Sequence, residues 1–134
     1  MTDTDRKAYA LYRLQKSEEA LRAAELLVAN NQWNASVNRL YYAAYYAVSA
    51  LLVLYKIETK THSGVKTQFL LNFVKTGVIS VQEGKLYNDL FDWRQKGDYG
   101  DLFDFNGEDV TPLLNPTKNL INELTRLAIS SEKI

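Results

Sequence analysis

The stretch from Leu40 to Tyr55, LYYAAYYAVSALLVLY, carries no charge, and Ser49 is its only polar side chain besides the tyrosine hydroxyls. Nothing in it breaks a helix. Ser36, Leu40, Ala43, Ala47, Ala50 and Leu54 recur at steps of four and three, which stacks them on one helical face. Tyr41, Tyr45, Val48, Leu52 and Tyr55 do the same on the opposite face. A helix apolar on two opposed faces needs neighbours on both, so it is the centre of a bundle or also builds a subunit contact. The three alanines permit a close approach on their side. A membrane span needs roughly 20 apolar residues. This run is shorter and holds five tyrosines whose hydroxyls need partners, so no membrane association is expected.

The remaining composition narrows the classes further. A chain of 134 residues is the size of one domain, and residues 1–134 are read as a single one. Sixteen basic and sixteen acidic residues cancel, so any nucleic-acid contact has to be a local patch rather than a general attraction. With no cysteine, disulfides and thiolate metal sites are excluded. The amino terminus, MTDTDRKAY, has no apolar run of the signal-peptide kind, and the cytoplasm is the expected compartment.

Periodicity then divides the chain into helices. Residues 5 to 29 place Ala10, Leu14, Ser17, Leu21, Ala24 and Val28 on one face, and Asn30 and Asn31 end the helix. A short link makes the central helix antiparallel to it. Thr61 is the expected N-cap of a third helix over about 62–75, with Val65, Phe69 and Phe73 inward and Gly77 as its stop. Ser80 with Glu83 reads as a capping box opening a fourth helix over about 81–96, striped by Leu86, Leu90 and Trp93 and by Tyr87, Phe91 and Arg94. Residues 98–109, DYGDLFDFNGED, read as an acidic loop held by Leu102, Phe103 and Phe105. Pro112 or Pro116 is the expected first turn of a last helix reaching about Ser130, with Leu113, Leu120, Leu124 and Leu127 inward. The fold expected is an all-α, five-helix single domain in which adjacent helices are mostly antiparallel.

The acidic loop does not match a calcium site. Counting back from Gly107 as the sixth position of an EF-hand loop puts Leu102 at the first, where an oxygen ligand is required. No metal site and no cofactor are expected. His62 and Ser63 are adjacent and diverge on a helix, so they make no serine-type dyad, and a lone histidine after a capping threonine reads first as a surface or capping residue. Arg94, near the end of the fourth helix among aromatics, suits bidentate capture of a phosphate or carboxylate. Its plainer role is an ion pair with Asp98, four residues on.

The blocks NRLYYAAYYAVSALL, KTHSGV, FVKTGVIS and LFDWRQKGDYGD, in that order, resemble the HEPN superfamily and in particular its small bacterial members. The resemblance covers about Gln32 to Leu124. It implies an up-and-down helical bundle that forms a homodimer, with functional sites in a cleft at the dimer interface. Many relatives are metal-independent ribonucleases with an R-x(4 to 6)-H motif, and some are toxins paired with a minimal nucleotidyltransferase antitoxin. Arg94 stands where the motif arginine would, and Gln95 matches the polar residue that follows it. The motif histidine has no counterpart: Tyr99 occupies its four-spaced position, and no histidine follows His62. A phenol ionises near pH 10 and is a poor proton shuttle at neutrality.

Three functions follow. The first is a non-catalytic dimeric module that holds a nucleotide, an RNA end or a partner protein through Arg94, Gln95, Tyr99 and Arg39. The second is a ribonuclease or toxin in which Arg94 holds the scissile phosphate while Tyr99, or His62 brought across from another helix, moves the proton. The third is the structural half of a pair with a nucleotidyltransferase. The absent motif histidine favours the first and predicts no metal-independent ribonuclease activity.

Overall fold

The computed structural model describes residues 1–131. Through them run α1 (Asp3–Ala29), α2 (Trp33–Leu54), α3 (His62–Phe69), α4 (Val81–Tyr99) and α5 (Gly107–Ser130), with a π-helical turn at Leu70–Val74 continuing α3. No strand occurs among the described residues. The chain is thus the all-α helical bundle expected, and α2 is its axis: α1, α3, α4 and α5 all pack on it.

Both faces of α2 are buried within one chain. Ser36, Leu40, Ala43, Ala47, Ala50 and Leu54 are covered on one side, and Tyr41, Val48 and Leu52 on the other, where Tyr45 is half-buried and Tyr55, just past the helix end, is exposed. The α1–α2 contact is close because small residues meet there. Ala20 of α1, Ala43 of α2 and Ile121 of α5 form one cluster, and the Ser17 hydroxyl donates to the Ala43 carbonyl at 2.7 Å. Four neighbours therefore satisfy α2 without a second subunit, so its two apolar faces are not themselves an argument for a dimer.

Caps set the helix ends. Thr2 and Asp5 form a capping box that starts α1 two residues earlier than its periodicity indicates. Asn31 adopts φ 59° in the link to α2, the left-handed conformation asparagine tolerates. Thr61 caps α3, its hydroxyl accepting from Gly64 N at 2.9 Å. Ser80 caps α4 by accepting from Glu83 N at 3.1 Å, but the expected capping box is incomplete: the Glu83 carboxylate accepts from the Ser80 hydroxyl at 3.0 Å rather than from the Ser80 backbone N–H.

Three boundaries differ from the sequence reading. The third helix is not α-helical to 75: the bond from Lys75 N to Leu70 O spans five residues. Across from this wider turn lies Gly84, where an added Cβ would stand 2.8 Å from Val74 Cγ1, so α4 and the π turn touch almost backbone to side chain. The fourth helix runs on to Tyr99, which takes Asp98 and Tyr99 out of the acidic loop. The last helix begins at neither proline. Asn106 and Asp109 form a capping box, with reciprocal bonds of 2.9 and 3.1 Å, that starts it at Gly107. Pro112 and Pro116 lie inside α5 on its exposed side, where each removes one backbone donor.

The connector from α4 to α5 is held by one side chain of α2. Asn34 Nδ2 donates to the Phe103 carbonyl at 3.0 Å, and its Oδ1 accepts from Phe105 N at 2.8 Å. Phe105 is buried and stacks on Trp93 at 4.9 Å between ring centroids. Leu102 does not hold the connector as expected, for it is 99% exposed at φ 54°. The loop's own turn leaves its apolar side chain in solvent.

Candidate functional site: an arginine, a histidine and a tyrosine stack

The faces of α2, α3 and α4 that meet near the middle of the bundle bring two charged or titratable groups onto one aromatic stack. On α2, Asn38, Tyr41, Tyr42 and Tyr45 follow at steps of three and four and so share a face. Arg94 of α4 lies across them, its guanidinium carbon 4.8 Å from the Tyr41 ring centroid and 5.7 Å from that of Tyr42. It is 7% exposed. It is also more than a turn short of the helix end, because α4 continues to Tyr99. A guanidinium over desolvated aromatic faces gains about 2 kcal/mol or more, which helps offset its burial.

His62, the first residue of α3, joins the same stack. Its ring lies parallel to Tyr45 at 4.4 Å and 8°. It is edge-on to Tyr42 at 5.7 Å, and its Nδ1 is 2.7 Å from the Tyr41 hydroxyl. Tyr41 and Tyr42 therefore touch both Arg94 and His62. Thr61 makes this geometry, since the cap starts α3 one residue before the imidazole and fixes where it leaves the backbone.

The electrostatics follow from these contacts. Burial lowers the His62 pKa below its usual 6.5, and the positive charges of Arg94 and Arg13 lower it further. The ring is neutral at neutral pH. Burial raises the Tyr41 pKa well above the ordinary phenol value, with Arg94 opposing, so this hydroxyl keeps its proton. A neutral imidazole beside a fixed guanidinium is a proton acceptor next to an anion holder.

A polar chain extends the site along α2. Arg94 Nη1 is 4.0 Å from Asp98 Oδ2, a long pair that leaves the guanidinium Nε buried with no hydrogen-bond partner. The same carboxylate accepts from Asn38 Nδ2 at 2.9 Å, and Asn38 Oδ1 accepts from Arg39 Nε at 3.0 Å. The Arg39 guanidinium stands 5.1 Å over Tyr42. One turn beyond His62, the Lys66 ammonium is 4.2 Å from the Phe91 ring centroid, and Phe91 packs edge-on to Tyr41. Arg39 and Lys66 thus add positive charge around the aromatic stack, over Tyr42 and Phe91, while the charges that act on the histidine are those of Arg94 and Arg13, and Asp98 is the carboxylate tied into the group.

Of the residues singled out in the sequence, the fold brings Arg94, His62 and Arg39 together. Gln95 and Tyr99 stay outside: Gln95 is exposed, and Tyr99 is 77% exposed at the end of α4. Among the described residues of one chain, no hydrogen bond or ring contact joins Tyr99 to Arg94. Sequence reasoning missed the shared role of Tyr41 and Tyr42, as well as Asn38 and Lys66. The spacing 38, 41, 42, 45 was the available signal, but it reads equally as core packing until α3 is placed. Among the described residues no three acidic or histidine side chains converge as a metal site would require. No helix there is long and apolar enough to cross a membrane.

Comparison with known proteins agrees with the fold. The profile of the HEPN domain matches residues 10–127. A UPF0332 protein of Thermotoga maritima is 38% identical over 116 residues, covering 87% of this chain and 88% of that one. A Methanocaldococcus jannaschii protein provisionally named a toxin is 32% identical over 117 residues, covering 87% and 80%. A second protein of that organism, named in the same way, is 35% identical over 86 residues, or 64% of each chain. With both the profile and a relative of this identity spanning nearly all of its helices, the chain belongs to the HEPN domain family.

Proposed function

We propose that this protein is an RNA-directed HEPN domain in which Arg94, with Arg39 and Lys66, holds a backbone phosphate while His62 takes and returns the proton. The observation that carries this reading is the shared tyrosine pair: Tyr41 and Tyr42 contact both Arg94 and His62. The absent motif histidine argued against cleavage on sequence grounds alone. His62 answers that objection by arriving from a different helix.

The chemistry needs one group near neutral pH and one fixed cation. In cleavage beside a 2′-hydroxyl, a base removes the hydroxyl proton, the oxygen attacks the adjacent phosphorus, and an acid protonates the departing 5′-oxygen. The Tyr41 hydroxyl can accept from Nδ1–H of His62, which leaves Nε2 unprotonated and able to act as the base. The Arg94 guanidinium would stabilise charge on the phosphate oxygens, and its unpartnered Nε is a donor seeking an acceptor.

A second reading, binding without cleavage, is favoured by the 7% exposure of Arg94. A guanidinium that covered reaches a phosphate only at its edge. The deciding experiment is cleavage of a structured and an unstructured RNA in the presence of a chelator. Wild type is expected to cut, His62→Ala to lose about a hundredfold or more, and Tyr99→Phe to match wild type. Binding of both RNAs by wild type with no cleavage would leave the second reading in its place.

A further inference from the structure

A separate cleft of about 460 Å³ opens between α1, the second half of α2 and the segment that leads into α3. It shares Tyr45 with the histidine stack, but Arg94, Arg39 and His62 are not among the residues that line it. Its size is that of a small-molecule site. Four basic side chains, Arg6, Arg13, Lys56 and Lys60, line it against the single acid Glu58, in a chain whose charges cancel overall. Asp3 offsets part of this charge, standing 2.7 Å from Arg6 Nη1 and 3.8 Å from the Lys56 ammonium. Arg13 and Lys60 form no ion pair among the described residues, so their charge remains for an incoming anion.

Two further observations point the same way. Arg13 Nε and the Ser49 hydroxyl are buried with no hydrogen-bond partner, and both residues line the cleft. Buried donors left without acceptors are costly, and an anionic oxygen is the acceptor they lack. The Arg13 guanidinium lies 4.9 Å from the Tyr9 ring centroid and 5.4 Å from that of Tyr46, so packing holds it in place before any ligand arrives. Tyr9, Tyr45, Leu52 and Val53 give the cleft apolar and aromatic wall, with Thr59 and Thr61 polar beside them.

We propose that this cleft binds a small phosphorylated molecule with a planar ring, its phosphate held by Arg13, Lys60 and Arg6 and its ring set against Tyr9 and Tyr45. The ring lowers the cost of desolvating the tyrosines, and the phosphate meets the unpaired cations. Neither part alone fills the site.

The test is isothermal titration calorimetry of the full chain with phenyl phosphate, inorganic phosphate and benzyl alcohol. Phenyl phosphate is expected to bind one per chain, about tenfold more tightly than inorganic phosphate, with no saturable binding of benzyl alcohol. Lys60→Gln, at an exposed position that leaves the fold intact, and Arg13→Gln should each weaken phenyl phosphate about tenfold. Arg94→Lys should leave it within about twofold, because that residue is outside the cleft. Absence of saturable binding overturns the proposal. So does a loss seen with Arg94→Lys and not with Lys60→Gln, which would assign the anion to the other site.

Discussion

The Tyr41 hydroxyl lies 2.7 Å from Nδ1 of His62, joining a buried side chain of the central helix to the first residue of α3. The bond fixes the imidazole's rotation, and the tyrosine ring beneath carries Arg94 at 4.8 Å. One side chain therefore orients both functional groups.

Tyr41→Phe separates these two duties. The ring that supports Arg94 remains, while the partner of His62 is lost. Stability is expected to fall by about 1 kcal/mol, the usual worth of one hydrogen bond, and RNA cleavage to fall about tenfold as the imidazole loses its orientation. Tyr41→Ala should cost about 3–5 kcal/mol, because it also empties a fully buried site. Chemical denaturation of both variants measures the difference.

His62 gives stability a defined pH dependence. Its folded pKa lies below 6.5 through burial, Arg94 and Arg13, so the unfolded chain binds more protons in that window. This contribution is fully present above the unfolded value of 6.5 and is lost as pH falls through the lowered folded value. Melting temperatures of wild type and His62→Gln should therefore converge on acidification, with the wild-type curve dropping more steeply below about pH 6.5. A parallel fall in both proteins would place the acid sensitivity elsewhere.

Much of this architecture was legible in advance, for reasons that particular residues illustrate. The two faces of α2 were readable because alternate steps of three and four have one interpretation when neither face carries charge. Thr61 and Ser80 were readable as caps because a hydroxyl before a helix answers a fixed backbone need. The start of α5 was misread since Pro112 and Pro116 suit a first turn, whereas the Asn106–Asp109 box, which starts the helix at Gly107 ahead of both prolines, satisfies two backbone donors at once. The π turn leaves no periodic trace over five residues. At the site, Arg94 was found by its family motif, but its partner came from 32 positions upstream in a different helix, and chain spacing holds no record of that meeting.

The contact of α4 with the π turn is tight at Gly84. A methyl there would stand 2.8 and 3.0 Å from the two γ-carbons of Val74 and 3.3 Å from Leu70 Cδ2. Overpacking of this kind usually costs about 1–3 kcal/mol. Gly84→Ala is expected to lose that much despite alanine's higher helix propensity, as measured by urea denaturation. A gain in stability would mean that the turn yields easily.

Homodimer formation, implied by the family resemblance, is expected to use surface outside α2, whose faces are already covered. Leu71, Val78 and Val81 are exposed around the junction of the π turn and α4, at 49%, 47% and 77%. Sedimentation at micromolar concentration should show a dimer for wild type and a monomer for Val81→Asp. A monomeric wild type would confine every site described above to one chain.

The central claim is that RNA meets Arg94 and His62 together, and the protein's single histidine makes that directly observable. The measurement is the imidazole NMR signal of His62 during titration with a 2′-O-methyl RNA oligonucleotide, which presents the phosphates but cannot be cleaved. The account predicts a saturable shift of that signal and a His62 pKa that rises toward its usual value as the bound phosphate offsets Arg94. In Arg94→Lys the shift should need about tenfold more RNA. Saturable RNA binding that leaves the His62 signal and its titration unchanged would contradict the account.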